Sequence, residues 1–173
     1  MSKNKITIIG AGYVGFSIGC LLSQKNQVIF FDKNQMKVDQ INLQNSPISD
    51  QDIEKFLFDN NIQLSATTNL KVAITEADII LVATPTDYDA ETGMFDTSSV
   101  ENSIEEILNY NKDALIIIKS TIPIGFIDKV KEIFSYDKIV FSPEFLREGK
   151  AIHDNLFPSR IVVGSKNKFG KRV

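Results

Sequence analysis

Six residues near the start of the chain, Gly10-Ala11-Gly12-Tyr13-Val14-Gly15, carry the spacing G-x-G-x-x-G. The chemistry that needs this spacing is the holding of a pyrophosphate. The first glycine permits a tight turn, the second lets a phosphate approach bare backbone, and the third lets a helix pack close to a sheet. A helix opening there offers free N–H groups and the positive end of its dipole to an anion. Ala11, Tyr13 and Val14 join the cradle as parts of the same turn. Asp32, 20 residues after Gly12, is the second element. A carboxylate at that place accepts hydrogen bonds from ribose hydroxyls and repels a 2′-phosphate, which favours NAD over NADP. Lys37 is a further candidate for cofactor contact. Lys33 and Lys37 also temper the preference against a 2′-phosphate, and either suits a solvated surface equally well.

Other candidates follow apolar runs. Thr84-Pro85-Thr86, Ser120 and Thr121 place hydroxyls where they can line a wall near a nicotinamide, although Ser and Thr serve caps and turns just as readily. Pro143-Glu144-Phe145-Leu146-Arg147-Glu148-Gly149 is denser, with two carboxylates, an arginine and an aromatic. Polar groups on a loop over a crevice are where function concentrates. A surface ion pair between Arg147 and a carboxylate is the bland alternative. His153 is the only histidine, so no multi-histidine metal site exists, and it reads as structural or surface. Cys20 is the only cysteine, which excludes an intramolecular disulfide and a cysteine-based zinc site. It reads as a small buried hydrophobe, because nothing near it in sequence lowers its pKa.

These residues need elements to hold them. Residues 5–10, 27–32, 78–84, 114–121 and 138–142 are short apolar runs that read as strands, with weaker strands at 62–67 and 160–164. Between them, Val14, Ile18, Leu21 and Leu22 fall on one helical face. Met36, Val38 and Ile41 suggest a second helix, residues 52–60 a third and 70–77 a fourth. Val100, Ile104, Ile107 and Leu108 mark a fifth, with Asp96 as its N-cap, and Ile127, Val130, Ile133 and Phe134 a sixth. The strands are continuous apolar runs rather than alternating ones, as a parallel sheet covered on both faces requires. The expected fold is therefore α/β: a Rossmann-like, doubly wound, mostly parallel sheet with helices on both faces. In such a sheet ligands sit beyond the carboxyl ends of the strands, where every candidate above lies.

Composition agrees and excludes. The chain has 173 residues, 43% hydrophobic and 24% charged, which suits one globular domain able to bury ~70% of its unfolded surface. The net charge of −3 and a pI near 5.2 argue against a nucleic-acid partner. No apolar run reaches the ~18 residues of a membrane span. The opening stretch has lysines before an apolar run, but glycines interrupt it and no small-residue cleavage site follows, so it is not read as a signal peptide. The lone cysteine fits a reducing cytoplasm. Residues 165–173, with Lys166, Lys168, Lys171 and Arg172, read as a charged, solvated tail after a domain spanning 1–164.

The motifs together resemble one family. Gly10 to Gly15, Val82-Ala83-Thr84-Pro85-Thr86, Lys119-Ser120-Thr121-Ile122-Pro123-Ile124-Gly125, Ser142 to Gly149 and Asn155 to Gly164 occur in the order and spacing of the NAD-binding N-terminal domain of UDP-glucose/GDP-mannose 6-dehydrogenases. Phe95-Asp96-Thr97 is similar to the UDP-glucose branch. The resemblance implies oxidation of the C6 alcohol of a nucleotide sugar to a carboxylate with two NAD, by way of a thioester on a cysteine. It implies that Thr121 helps position a catalytic water and that Glu144 is the base of the hydrolysis. It implies that residues 144–148 (Glu144, Phe145, Leu146, Arg147 and Glu148) line the UDP-sugar site, and that Glu148 also reaches the nicotinamide. The family's cysteine, lysine, asparagine and second acid lie in a later domain, beyond a central helix that forms a homodimer core. None of these is in this chain, and Cys20 lies in the wrong element to replace the nucleophile. The chain alone is thus expected to be inactive and monomeric. A dehydrogenase for a UDP-N-acetylhexosamine or GDP-mannose, and a free-standing NAD-binding module, are the alternatives.

Overall fold

Each apolar run of the chain is followed by an amphipathic one, and the computed structural model winds these pairs into a layered sheet. It describes residues 3–60, 62–91, 93–165 and 168–173. The first half contains β1 (Lys5–Ile9), α1 (Tyr13–Ser23), β2 (Gln27–Phe31), α2 (Gln35–Asn42), α3 (Gln51–Asn60), β3 (Ser65–Thr67), α4 (Leu70–Ile74) and β4 (Ile79–Val82). The second half contains a small hairpin of β5 (Tyr88–Asp89) and β6 (Met94–Phe95), then α5 (Ser98–Tyr110), β7 (Leu115–Ile118), α6 (Phe126–Phe134), β8 (Ile139–Phe141) and α7 (Ala151–Leu156).

Six strands form one parallel sheet in the order β3-β2-β1-β4-β7-β8. The chain winds outward from β1 in one direction and from β4 in the other, so the crevice over their carboxyl ends is a topological switch point. The register sets Ile8 beside Phe30 and Leu81, and Leu81 beside Ile117. Alternate strand residues then feed two cores. On one face Ile8, Phe30, Leu81, Ile117 and Val140 pack with residues of α1, α2, α3 and α7. On the other, Ile9, Ile80, Val82, Ile116 and Ile118 pack with α4, α5 and α6. Both faces are covered, which is why the strands carry apolar side chains in both directions.

The structure departs from the sequence expectations in identifiable places. Residues 160–164 form no strand. They meet β8 through one bond, from Gly164 N–H to the Phe141 carbonyl at 2.7 Å, and Ile161 stays exposed. Met36 is 73% exposed, because it lies two residues from Val38 and so cannot share that buried helical face. Helix α5 begins at Ser98 with Thr97 as its cap residue. Asp96 still serves it from one residue further out, accepting the Ser98 N–H at 2.9 Å, and bonds from Ser98 hold its carboxyl below the usual range. The end of the chain is not a free tail. Phe169 packs against the core, and Gly170–Arg172 makes a 3-10 turn. Met1, Ser2 and Lys166 lie outside the described residues. Among the described residues no helix is long and apolar enough to cross a membrane.

Candidate functional site

The turn between β1 and α1 is built by steric exclusion. Gly10 has φ of +97°, and a Cβ there would stand 2.5 Å from the Ala83 carbonyl oxygen of the neighbouring strand end. A Cβ on Gly15 would stand 1.9 Å from the Gly10 carbonyl oxygen. Both positions therefore require glycine for the turn to close under the helix. Gly12 differs, because its missing Cβ faces open space, with nothing within 4 Å. Gly12 is also the N-cap of α1, and no side chain caps that end. The first-turn N–H groups thus face a clearing kept free of side chains, which fits a dinucleotide pyrophosphate.

Asp32 at the end of β2 reaches across to this turn. One carboxylate oxygen accepts the Ala11 N–H at 2.8 Å and the other the Asn34 N–H at 2.9 Å. Lys37 stands 3.8 Å from the first oxygen and donates to the Ala11 carbonyl at 3.5 Å. Lys37 is therefore part of the turn's charge balance rather than a loose surface lysine. A carboxylate has about four lone-pair sites, so Asp32 keeps capacity for ribose hydroxyls while it fixes the turn. A cavity of about 440 Å³ opens here between Gly12, Asp32, Lys37, Leu70 and Thr84.

A second cavity, of about 590 Å³, adjoins the first over Gly12, Thr84 and Pro85. Thr86, Ser120, Thr121, Glu144 and Glu148 line it, together with Lys119. The hydroxyls divide into two kinds. Ser120 is buried and donates to the Thr84 carbonyl at 2.7 Å, tying β7 to β4. The Thr84 hydroxyl pairs with Ser99 at 3.1 Å, which fixes the start of α5. Thr86 and Thr121 have no hydroxyl partner among the described residues, and Thr121 is exposed. The sequence treated all four alike, and packing separates them.

The loop after β8 is divided in the same way. Glu144 pairs with Lys119 at 3.0 Å through one oxygen and accepts the Phe145 N–H at 3.0 Å through the other. Glu148 is exposed at the cavity mouth. Leu146 turns inward against the core. Phe145 lies outside, with the Arg160 guanidinium 4.0 Å above its ring. Arg147 forms a forked pair with Asp154 of α7, at 3.0 and 2.8 Å, and its backbone N–H also bonds Asp154. One edge of its guanidinium is thus paired within the protein, while the side chain stays 67% exposed. Asp50 supports this loop from afar. Buried before α3, it accepts the N–H of Ala151 at 2.9 Å as well as those of Asp52 and Ile53. Cys20 is fully buried, and that burial pushes its thiol up to about 12, so it is no nucleophile at neutral pH.

Sequence reasoning passed over Lys119, Asp50 and Asp154. Lys119 had a signal: it directly follows a wholly apolar strand, and a charge entering a buried strand end needs a partner. Asp50 also had one, an Asp immediately before a helical pattern. Asp154 had none, since its partner is fixed only by the path of the loop.

Residues 4–172 match the UDP-glucose/GDP-mannose dehydrogenase family, NAD binding domain. A UDP-glucose 6-dehydrogenase of Campylobacter jejuni is 47% identical over 171 residues, which is 98% of this chain and 44% of that protein. One from Streptococcus pneumoniae is 48% identical over 161 residues, 93% of this chain and 41% of that protein. The chain thus spans less than half the length of these relatives. Among solved structures, a ternary complex of GDP-mannose dehydrogenase from Pseudomonas aeruginosa is 27% identical with a TM-score of 0.83, covering 97% of this chain and 42% of that one. A UDP-glucose dehydrogenase from Pyrobaculum islandicum shares the fold at a TM-score of 0.84 and 24% identity, covering 99% and 43%. With its glycine cradle, its acid at the end of β2 and a match running over nearly its whole length, the chain belongs to the UDP-glucose/GDP-mannose dehydrogenase family as its NAD-binding domain.

Proposed function

We propose that the chain is the cofactor-holding part of a UDP-glucose 6-dehydrogenase, an enzyme that oxidises the C6 alcohol of UDP-glucose to a carboxylate with two NAD. The observation that carries this reading is the meeting of the two cavities over Gly12 and Thr84. One has Asp32 for a ribose, and the other has Thr121, Glu144 and Glu148 where a nicotinamide and a sugar C6 would converge. The names of the relatives supply the sugar.

In this reading the first turn of α1 binds the pyrophosphate, and Gly12 lets it approach. Asp32 takes the adenosine ribose, with Lys37 balancing its charge. Thr86 and Thr121 offer free hydroxyls to the nicotinamide end and to a water. NAD supplies the hydride acceptor, and the protein supplies placement. Alcohol oxidation and thioester hydrolysis both release a proton, and the carboxylates of Glu144 and Glu148 are the acceptors this chain presents. Phe145 and Arg160 form an outer wall toward the nucleotide sugar. The nucleophilic cysteine, the central helix and the dimer they belong to are assigned to the rest of the longer protein, so the chain alone turns nothing over. The single buried thiol fits work in the cytoplasm.

The test is calorimetry of the chain with NAD and with NADP. NAD binds, and NADP binds at least ~10-fold more weakly, a difference of ~1.4 kcal/mol. Asp32→Asn keeps the shape, removes the charge and narrows that gap. Equal affinities for the two cofactors would sink the assignment. In the longer protein, UDP-glucose and GDP-mannose assayed side by side decide the sugar.

A further inference from the structure

Lys119 and Glu144 form an ion pair at the carboxyl ends of β7 and β8, with side chains only 7% and 17% exposed. A buried pair is no dependable source of stability, because desolvation offsets the attraction. Nor do these strand ends need it as a clasp. A backbone bond already joins them, from Ser142 N–H to the Ile118 carbonyl at 2.9 Å, and another ties Lys119 N–H to the Val82 carbonyl of β4 at 2.8 Å. The position of the pair is more telling. Lys119 and Glu144 line both the polar crevice, with Thr121 and Glu148, and an apolar groove on the opposite side, with Leu22, Leu81 and Ile117. The pair is the partition between the two.

We propose that Lys119 is a positioning residue for Glu144. Its stem lies along the apolar groove and its ammonium holds one Glu144 oxygen, while the Phe145 N–H holds the other. Seated at both oxygens, the carboxylate cannot rotate, and its remaining lone pairs meet a water or hydroxyl in the crevice in one orientation. Without the ammonium, the carboxylate loses the cation that seats it and turns away, to solvent or toward Arg160, which lines the same groove. This assignment rests on the reading of Glu144 as the site's proton acceptor, but the seat itself is measurable without catalysis.

The first arm uses the 173-residue chain. The Phe145 amide resonance reports the Glu144 seat, because it donates to that carboxylate. It moves upfield in Glu144→Gln, and equally in Lys119→Met and Lys119→Gln, while Lys119→Arg, which keeps the cation, stays near wild type. Should Lys119→Met fail to fold, Lys119→Gln carries the comparison. A folded Lys119 variant with the Phe145 amide unmoved overturns the proposal. The second arm uses the longer protein with NAD and UDP-glucose. Lys119→Gln lowers kcat by ~10²-fold with KM unchanged, the lower end of what a general base contributes. Adding Glu144→Gln lowers it no further, because the two act as one unit. Additive losses, or full activity in Lys119→Gln, refute the positioning role. An inactive wild type with every nucleotide sugar refutes the functional reading instead, and the amide shift then decides Lys119 alone.

Discussion

The two ends of the crevice are held by opposite means. At the β1–α1 turn, backbone lies against backbone, and Gly10 and Gly15 work by what they lack. At the ends of β7 and β8, side chains do the holding: Lys119 on Glu144, Arg147 on Asp154, Asp50 on the first N–H of α7. The first end is rigid because no other residue fits it. The second places its side chains through charged partners laid over backbone bonds, so it answers to conservative substitution and, at Asp154, to acid.

The largest effect that would break this contrast is expected at Gly15. Gly15→Ala drives a methyl to 1.9 Å from backbone that cannot retreat, and should cost at least ~3 kcal/mol in urea unfolding. A loss under ~1 kcal/mol would show that the turn yields. Gly12→Ala sharpens the contrast from the same turn. With nothing within 4 Å and an ordinary φ of −88°, its stability should stay within ~0.5 kcal/mol of wild type, while NAD affinity falls at least ~10-fold by calorimetry. Unchanged affinity would mean that the phosphates pass elsewhere. The smallest effect is expected at the other end, in acid. The Arg147 guanidinium first, and its backbone N–H second, hold the Asp154 carboxyl well below the usual range. A depressed carboxylate contributes stability in full above its unfolded value of ~3.9 and loses it as pH falls through the folded one. The Arg147 guanidinium resonances should therefore keep their paired positions at pH 4 and lose them only in stronger acid. Loss between pH 5 and 4, with the sheet intact, would contradict the pair.

The contrast also explains what could be read from the residues alone. The parallel, doubly covered sheet was legible in runs such as Leu115-Ile116-Ile117-Ile118, all four buried, whereas the order of the strands was not. The glycine turn is legible because only glycine meets its steric demand. The β5–β6 hairpin is not, since two-residue strands carry no period, and it is held by Tyr88 and Phe95 with ring centroids 5.0 Å apart. Helix α7 is likewise silent, being six residues long with Ala151 and Ile152 as its buried pair. Asp32 was legible as a ligand for a ribose but not as the acceptor that fixes the Ala11 N–H, because that bond needs the turn folded back upon β2. The Lys119–Glu144 pair depends on β7 and β8 lying side by side, and no spacing in the chain encodes that distance.

Asp50 sets an order of events. Its carboxylate meets the Ala151 N–H across 101 positions of chain, so the contact forms only after most of the sheet has gathered. Closing so long a loop carries an entropic cost that grows with the logarithm of its length, and contacts of this kind come late in folding. The segment bearing Glu144 and Arg147 is thus held through a long chain closure, whereas the Ala11–Asp32 bond at the glycine turn spans only 21 positions.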